Sequence, residues 1–309
     1  MEYLMKILLN PIIILLVLLS FSSCDKSRAN DELITKSQDL YKAGKYDDCI
    51  SLLNTVLKND PTNTDGYYAR GSVNYVQGNV KSALGDYNRA LELNPAISRL
   101  YSGRGYIYFN EREFEKAESD FSRAIELDNL TAGYNYYMRG KVHDELQEYD
   151  VAIADYTKGL ELEPENFVTL ATRGVALMQI GKYQESEQDF LKLIELKPDC
   201  NETYMSLSLL YSAMGEYESA LQEVNRLIEL DPHNDDFLAT RGIIYFNNDM
   251  LELAKSEFIL ALDENPANST SLFYLGRIFD ISGDRQTALE YYQKAHISMK
   301  DPEIHEGCN

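Results

Sequence analysis

Residues 64–97 carry the hydrophobic pattern that organises the whole chain. Tyr67 and Gly71 lie on an amphipathic segment that Gly78 interrupts. Ala83, Tyr87 and Ala90 then fall at i, i+4 and i+7, one stripe of a second helix, and Pro95 stands where that helix cannot continue. A glycine just past the first helix supplies the positive φ that ends it. The pattern therefore predicts two helices joined by a tight turn.

This hairpin recurs along the sequence. Pro61, Pro95, Pro164, Pro198, Pro232 and Pro266 are separated by 34, 69, 34, 34 and 34 residues, with Asn129 at the missing site. A second series, Gly71, Gly105, Gly140, Gly174, Ser208, Gly242 and Gly276, steps by 34 except for one step of 35 between Gly105 and Gly140. Both series put a single-residue insertion near Leu130–Ala132. Repetition at this period predicts stacked helical hairpins, each burying its apolar face against its neighbours.

Within the hairpins, small and bulky residues alternate at fixed places. One place holds Cys49, Ala83, Ala117, Ala152, Ser186, Ala220, Ala254 and Ala288. Four residues later come Leu53, Tyr87, Phe121, Tyr156, Phe190, Val224, Phe258 and Tyr292. Small residues let two helices approach, and bulky ones fill the space beside them. This grammar resembles the tetratricopeptide repeat (TPR) family. The resemblance implies an all-α, right-handed superhelical solenoid of about eight TPR hairpins whose first helices line a concave groove. The repeats run 30–63, 64–97, 98–131, 133–166, 167–200, 201–234, 235–268 and 269–302, leaving a tail at 303–309.

One departure from the family recurs. Where TPR repeats usually carry Leu, five repeats here carry Arg70, Arg104, Arg139, Arg173 and Arg241. Each is followed sixteen residues later by an acid: Asp86, Asp120, Asp155, Asp189 and Glu257. Partial burial of an arginine demands such a partner, so these read as structural ion pairs, within a hairpin or across a repeat junction.

The first 23 residues stand apart. Ile12–Leu19 is an unbroken apolar run, too short to span a bilayer, which needs about 20 apolar residues, and it is followed by Ser20–Ser23 and Cys24. A removable secretory signal fits this layout. The ending Phe21-Ser22-Ser23-Cys24 resembles the lipobox of bacterial lipoproteins of the Bacteroidetes type, with Phe21 where Leu is usual and Ser23 where Gly or Ala is commoner. The resemblance implies lipidation of Cys24, a short linker at 24–29, and anchorage in the bacterial envelope, at the outer membrane or the periplasmic face.

Charge narrows the partners. Fifty Asp and Glu against 29 Lys and Arg give a net charge of −21. Nucleic acid would be repelled, and broad adhesion to an anionic lipid surface is disfavoured. Cysteines at 24, 49, 200 and 308 show no metal spacing. Cys49 falls at a core position and reads as an inert thiol; Cys200 and Cys308 read as free thiols. No nucleophile motif, phosphate loop or metal cluster is present, and the four histidines are scattered. The sequence predicts no enzyme and no cofactor.

Projecting the TPR groove positions onto this chain gives two zones. Tyr68, Tyr75, Tyr106, Phe109, Tyr134 and Tyr137 form an aromatic one, with Arg99, Lys141, Asp144 and Glu145 nearby. Val175, Met178, Met205, Leu209, Ile243 and Phe246 form an aliphatic one. Such surfaces suit an extended peptide or an amphipathic helix of a partner protein. The groups with which TPR chaperone adaptors clamp a C-terminal carboxylate are missing: Ile34, Gln38 and Ala69 stand at those sites. Leu289, Tyr291 and Ile297 in repeat 8 lack an obvious cover, which suggests homodimerisation or partner docking there. The expected function is an envelope-anchored, non-enzymatic scaffold; the alternative is a periplasmic holdase for unfolded or translocating clients.

Overall fold

The computed structural model describes residues 29–300 except 129 and 131. They form sixteen helices: α1 (29–42), α2 (Tyr46–Asn59), α3 (Thr64–Val76), α4 (Val80–Leu93), α5 (Ser98–Asn110), α6 (Phe114–Leu127), α7 (Gly133–Glu145), α8 (Tyr149–Leu162), α9 (Phe167–Gln179), α10 (Tyr183–Leu196), α11 (Asn201–Met214), α12 (Tyr217–Leu230), α13 (Asp235–Asn247), α14 (Leu251–Glu264), α15 (Ser269–Ile281) and α16 (Arg285–Lys300). No strand occurs among the described residues. The architecture is all-helical, built of consecutive paired helices. It groups into two compact units, one ending at Val142 and the other starting at His143.

Each pair is closed by one backbone device. Gly44, Gly78, Arg112, Gln147, Gly181, Gly215, Asp249 and Gly283 all have positive φ, between 56° and 87°. They follow one another at 34 residues, with one step of 35 from Arg112 to Gln147. At Gly78 the amide donates to the Tyr75 carbonyl (2.9 Å) and the next amide, Asn79, reaches back to the Asn74 carbonyl (2.8 Å). This double closure satisfies the last carbonyls of α3 and turns the chain sharply into α4. At the other end, Asn63, Asn166, Asn234 and Asn268 accept a hydrogen bond from a first-turn amide of the next helix. Each sits two residues after one of the repeat prolines, which stop the preceding helix.

The core of each hairpin is a close approach. Ala83, Ala117, Ala220 and Ala254 are fully buried, as are the bulky residues Phe121, Phe190 and Phe258. At Gly242 a Cβ would lie 2.6 Å from the Phe258 ring, and at Gly174 it would lie 2.9 Å from Phe190. The ring of the second helix therefore packs on bare backbone of the first. Where the first helix has Ser208 instead of glycine, the matching residue is the smaller Val224.

First helices also touch one another: α3 meets α5 in the first unit, and α9, α11, α13 and α15 meet in succession in the second. The first helices thus lie side by side within each unit.

Candidate functional site

In the first unit, α1, α3, α5 and α7 frame a continuous groove. Its main compartment has a volume of about 680 Å³ and is walled by Tyr41, Tyr68, Tyr75, Tyr106 and Tyr134. A second compartment of about 380 Å³ adjoins it, sharing Tyr41, Tyr68, Ser72 and Arg99. This one is apolar at its base, where Ile34, Cys49, Ala69 and Val73 converge. The three residues that replace the carboxylate clamp, Ile34, Gln38 and Ala69, all line it.

The aromatic wall is ordered by ring contacts and by buried polar bonds. Tyr75 meets Tyr106 edge-on at 5.9 Å, and Tyr68 meets Tyr87 edge-on at 5.8 Å, both favourable geometries. Arg99 lies over the Tyr68 ring at 5.2 Å and is paired with Asp65, so this cation adds no unbalanced charge to the groove. Tyr87 belongs to the second helix α4, yet its hydroxyl reaches the groove floor, 3.0 Å from the Ser72 hydroxyl. It can do so only because residue 103 is glycine: a Cβ there would sit 2.5 Å from the Tyr87 ring. Burial pushes the Tyr87 hydroxyl up to about 12, against a smaller opposing pull from Ser72. Ser102 donates to the Asn135 amide oxygen at 2.6 Å, tying α5 to α7 along the floor.

The expected aromatic residues divide in two. Tyr68 and Tyr75 are half-buried and Tyr106 and Tyr134 exposed along the groove. Phe109 and Tyr137 instead pack against the cluster of Phe121, Met138 and Val142. Sequence reasoning missed Tyr41, Tyr87, Ser102 and Asn135. A signal existed for Tyr87: Gly103 is a second glycine inside a helix, costing roughly 1 kcal/mol relative to Ala, which only a packing need would justify.

In the second unit, Val175 is exposed on α9, and Met178, Met205, Leu209 and Ile243 are half-buried on α9, α11 and α13. Phe246 departs from expectation. It is buried, packed edge-on against Tyr274 at 5.2 Å with Arg277 over its ring at 4.8 Å. The aromatic residue on the next first helix closes over it, so it is core rather than surface.

The arginines bond in both directions. Arg70, Arg104 and Arg173 each donate two hydrogen bonds to the acid sixteen residues on, at 2.6–2.9 Å: Asp86, Asp120 and Asp189. Each also donates, through its remaining nitrogen, to a polar residue sixteen positions earlier: Asn54, Asn88 and Thr157. Arg241 repeats the scheme with Asn225 and Glu257. Arg139 reaches Ser122, seventeen positions back, so the inserted residue near Leu130 is absorbed without losing the bond. Asp155 is buried in the second unit. Every arginine thus ties its helix to the one before it, and the four paired within a unit also clamp their own hairpin.

The cysteines bring one correction. Cys49 is 1% exposed and donates to the Ser37 carbonyl, and burial raises its thiol pKa. Cys200, expected as a free thiol, is disulfide-bonded. Cys24 and Cys308 lie outside the described residues. Among the described residues no group of His, Cys, Asp and Glu could hold a metal ion, and no helix is long and apolar enough to cross a membrane. Leu289 is exposed on α16 and Tyr291 stacks on Phe279 at 5.5 Å.

A family model described as tetratricopeptide repeat matches residues 34–96, 77–132 and 171–235, and a second of the same description matches 133–166. No curated protein matches the chain. Among solved structures, a tetratricopeptide repeat protein from Parabacteroides merdae has 22% identity and a TM-score of 0.59, over 87% of this chain and 99% of that one. The C-terminal part of a TPR repeat-containing protein from Cytophaga hutchinsonii has 18% identity and a TM-score of 0.62, over 77% and 98%. PilF of Pseudomonas aeruginosa has 17% identity and a TM-score of 0.60, over 67% and 94%. At these identities the likeness is one of fold.

Proposed function

Because this chain belongs to the tetratricopeptide repeat family, we propose that it is a non-enzymatic scaffold that holds an extended segment of a partner protein in the tyrosine-walled groove of its first unit. The observation that carries this reading is the pair of adjoining compartments. The apolar one suits a bulky anchor side chain, and the larger one offers hydroxyls and amides for the backbone that follows. Its Arg99 is paired with Asp65, and Ile34, Gln38 and Ala69 stand where a terminal carboxylate would be clamped.

The proposal extends to location: the scaffold works at the bacterial envelope, attached through a lipid on Cys24. The lipobox-like ending supports this.

Two measurements test these statements. With a photoreactive residue in place of Tyr106, cross-linking in intact cells should yield one dominant protein, lost when Arg99→Ala and Tyr68→Ala are added. A broad set of unrelated proteins would refute the scaffold. For location, Cys24→Ser should move the protein from the membrane fraction to the soluble one; unchanged partitioning refutes the lipid.

A further inference from the structure

Gly85 breaks a rule that Gly71, Gly105 and Gly242 obey. A Cβ on any of those three would press on an aromatic ring, at 3.1, 3.1 and 2.6 Å. Gly85 lies in the middle of α4, where a Cβ would meet nothing within 4 Å. A glycine inside a helix is destabilising relative to alanine, and here no packing offsets the loss. A local rule broken without structural gain marks a position kept for another use.

The missing side chain opens a crevice of about 380 Å³ framed by α2, α3 and α4. Asn74 and Asp86, 9% and 6% exposed, form its base. Two small residues make it specific to this hairpin. In the other repeats the place of Gly85 holds Ser, Ala, Gln or Glu, and the place of Asn74 holds Leu, Tyr, Phe or His. The next repeat shows what fills the space elsewhere: the Tyr108 ring lies under Arg104 at 5.8 Å and Lys116 at 5.2 Å, the counterparts of Arg70 and Ser82. The crevice shares no residue with the tyrosine groove. Arg70 and Asn74 line one and Tyr68 and Ser72 the other, and residues two apart on a helix point about 200° apart.

Its chemistry is polar and balanced. The Arg70 charge is answered by Asp86 through two bonds of 2.9 and 2.6 Å, so neither an anion nor a cation gains a free counter-charge. Asn54 accepts from Arg70 at 2.6 Å through its oxygen and keeps its N–H donors to offer. Asn74 donates to Asp86 at 3.1 Å and keeps its oxygen. The Ser82 hydroxyl can serve either way. Only Ile50 is apolar in the lining. Donors and acceptors in alternation match neighbouring hydroxyl groups, each of which both gives and takes a hydrogen bond. The volume falls at the small end of ligand pockets, which run from about 300 to 1,000 Å³.

We propose that this crevice binds one neutral sugar ring or cyclic polyol, free or at the end of a longer glycan. The site does not depend on the tyrosine groove. The test is saturation-transfer NMR on the intact chain, offered glucose, galactose, mannose and myo-inositol, and the methyl glycosides of the three sugars. At least one ring should receive transfer. Transfer to a free sugar alone assigns the site to free monosaccharide; transfer to its methyl glycoside as well assigns it to a chain end. Gly85→Gln, which installs the residue of repeats 5 and 6, should abolish transfer while raising Tm by a few degrees, because a better helix former replaces glycine. Asn74→Tyr should abolish it too. Ser119→Gln, the same change at the matching place of repeat 3, should leave it intact. Transfer to none of these rings, undiminished transfer in Gly85→Gln, loss in Ser119→Gln, or equal transfer to the charged uronate or amino counterpart of the bound sugar would each overturn the proposal.

Discussion

The arginine clamps offer a sharp quantitative test because one of them is incomplete. Arg70, Arg104 and Arg173 each face an aspartate that accepts from both Nε and Nη2. Arg241 faces Glu257, which accepts from Nη2 at 2.8 Å, and Arg241 Nε is buried with no acceptor. The glutamate is one methylene too long to present both oxygens to the fork. Glu257→Asp should bring the carboxylate into the geometry of the other three. A hydrogen bond to a charged group contributes about 1.5–3 kcal/mol, and loss of one largely buried methylene costs about 0.8 kcal/mol. The net gain is therefore about 1–2 kcal/mol. For a cooperative unit of this size each kcal/mol raises Tm by about 2–4 °C. The control is the reverse change, Asp189→Glu, which should leave Arg173 with one bond and cost a similar amount. Thermal and urea unfolding of the two variants would measure both. If Glu257→Asp lowers Tm while Asp189→Glu is neutral, carboxylate reach does not govern these clamps and the reasoning fails.

Other outcomes follow from single contacts. Gly242→Ala places a methyl 2.6 Å from Phe258 and should cost about 1–3 kcal/mol by overpacking, less the gain in helix propensity; a stabilised variant in calorimetry would contradict the close approach. Gln147 holds φ of 61° at a turn where five other repeats use glycine, so Gln147→Gly should stabilise by up to about 1 kcal/mol in urea unfolding. Because the folded Tyr87 pKa is raised from 10.0 to about 12, its contribution to stability is intact below pH 10 and lost between pH 10 and 12. Tyr87→Phe should flatten that part of the stability profile, and an unchanged profile would place the titration elsewhere.

Much of this fold is legible in the sequence because proline, glycine and alanine mark backbone events that no other residue serves as well. Pro61, Gly78 and Ala83 announce a stop, a turn and a close approach without reference to the rest of the molecule. The third punctuation series was hidden, since Arg112, Gln147 and Asp249 occupy turns that look like ordinary polar sequence. The groove was less legible for a related reason. Whether an aromatic side chain walls a cavity or fills a core depends on its neighbour across the junction. Tyr106 and Phe246 lie three places apart in the repeat, and Phe246, like its counterpart Phe109, is packed by the next first helix, through Tyr274 in one case and Met138 in the other, whereas Tyr106 stays on the groove wall. Tyr87 was read as core, and it is, but its hydroxyl emerges on the far side because Gly103 lets it pass.

The arginine ties also set how the array would respond to being pulled. Repeats 6 and 8 carry Leu207 and Leu275 where five others have arginine, so the seams behind them lack an arginine tie and rest on apolar packing with isolated polar contacts, Tyr211 to Glu187 at 3.1 Å and Lys255 over the Phe279 ring. Directional bonds between charged groups yield abruptly after a small displacement, whereas an apolar seam slides and gives way gradually. A chain stretched between a surface attachment and a bound partner would therefore extend in an uneven rhythm, yielding more gradually at the seams behind Leu207 and Leu275 than at those tied by arginine.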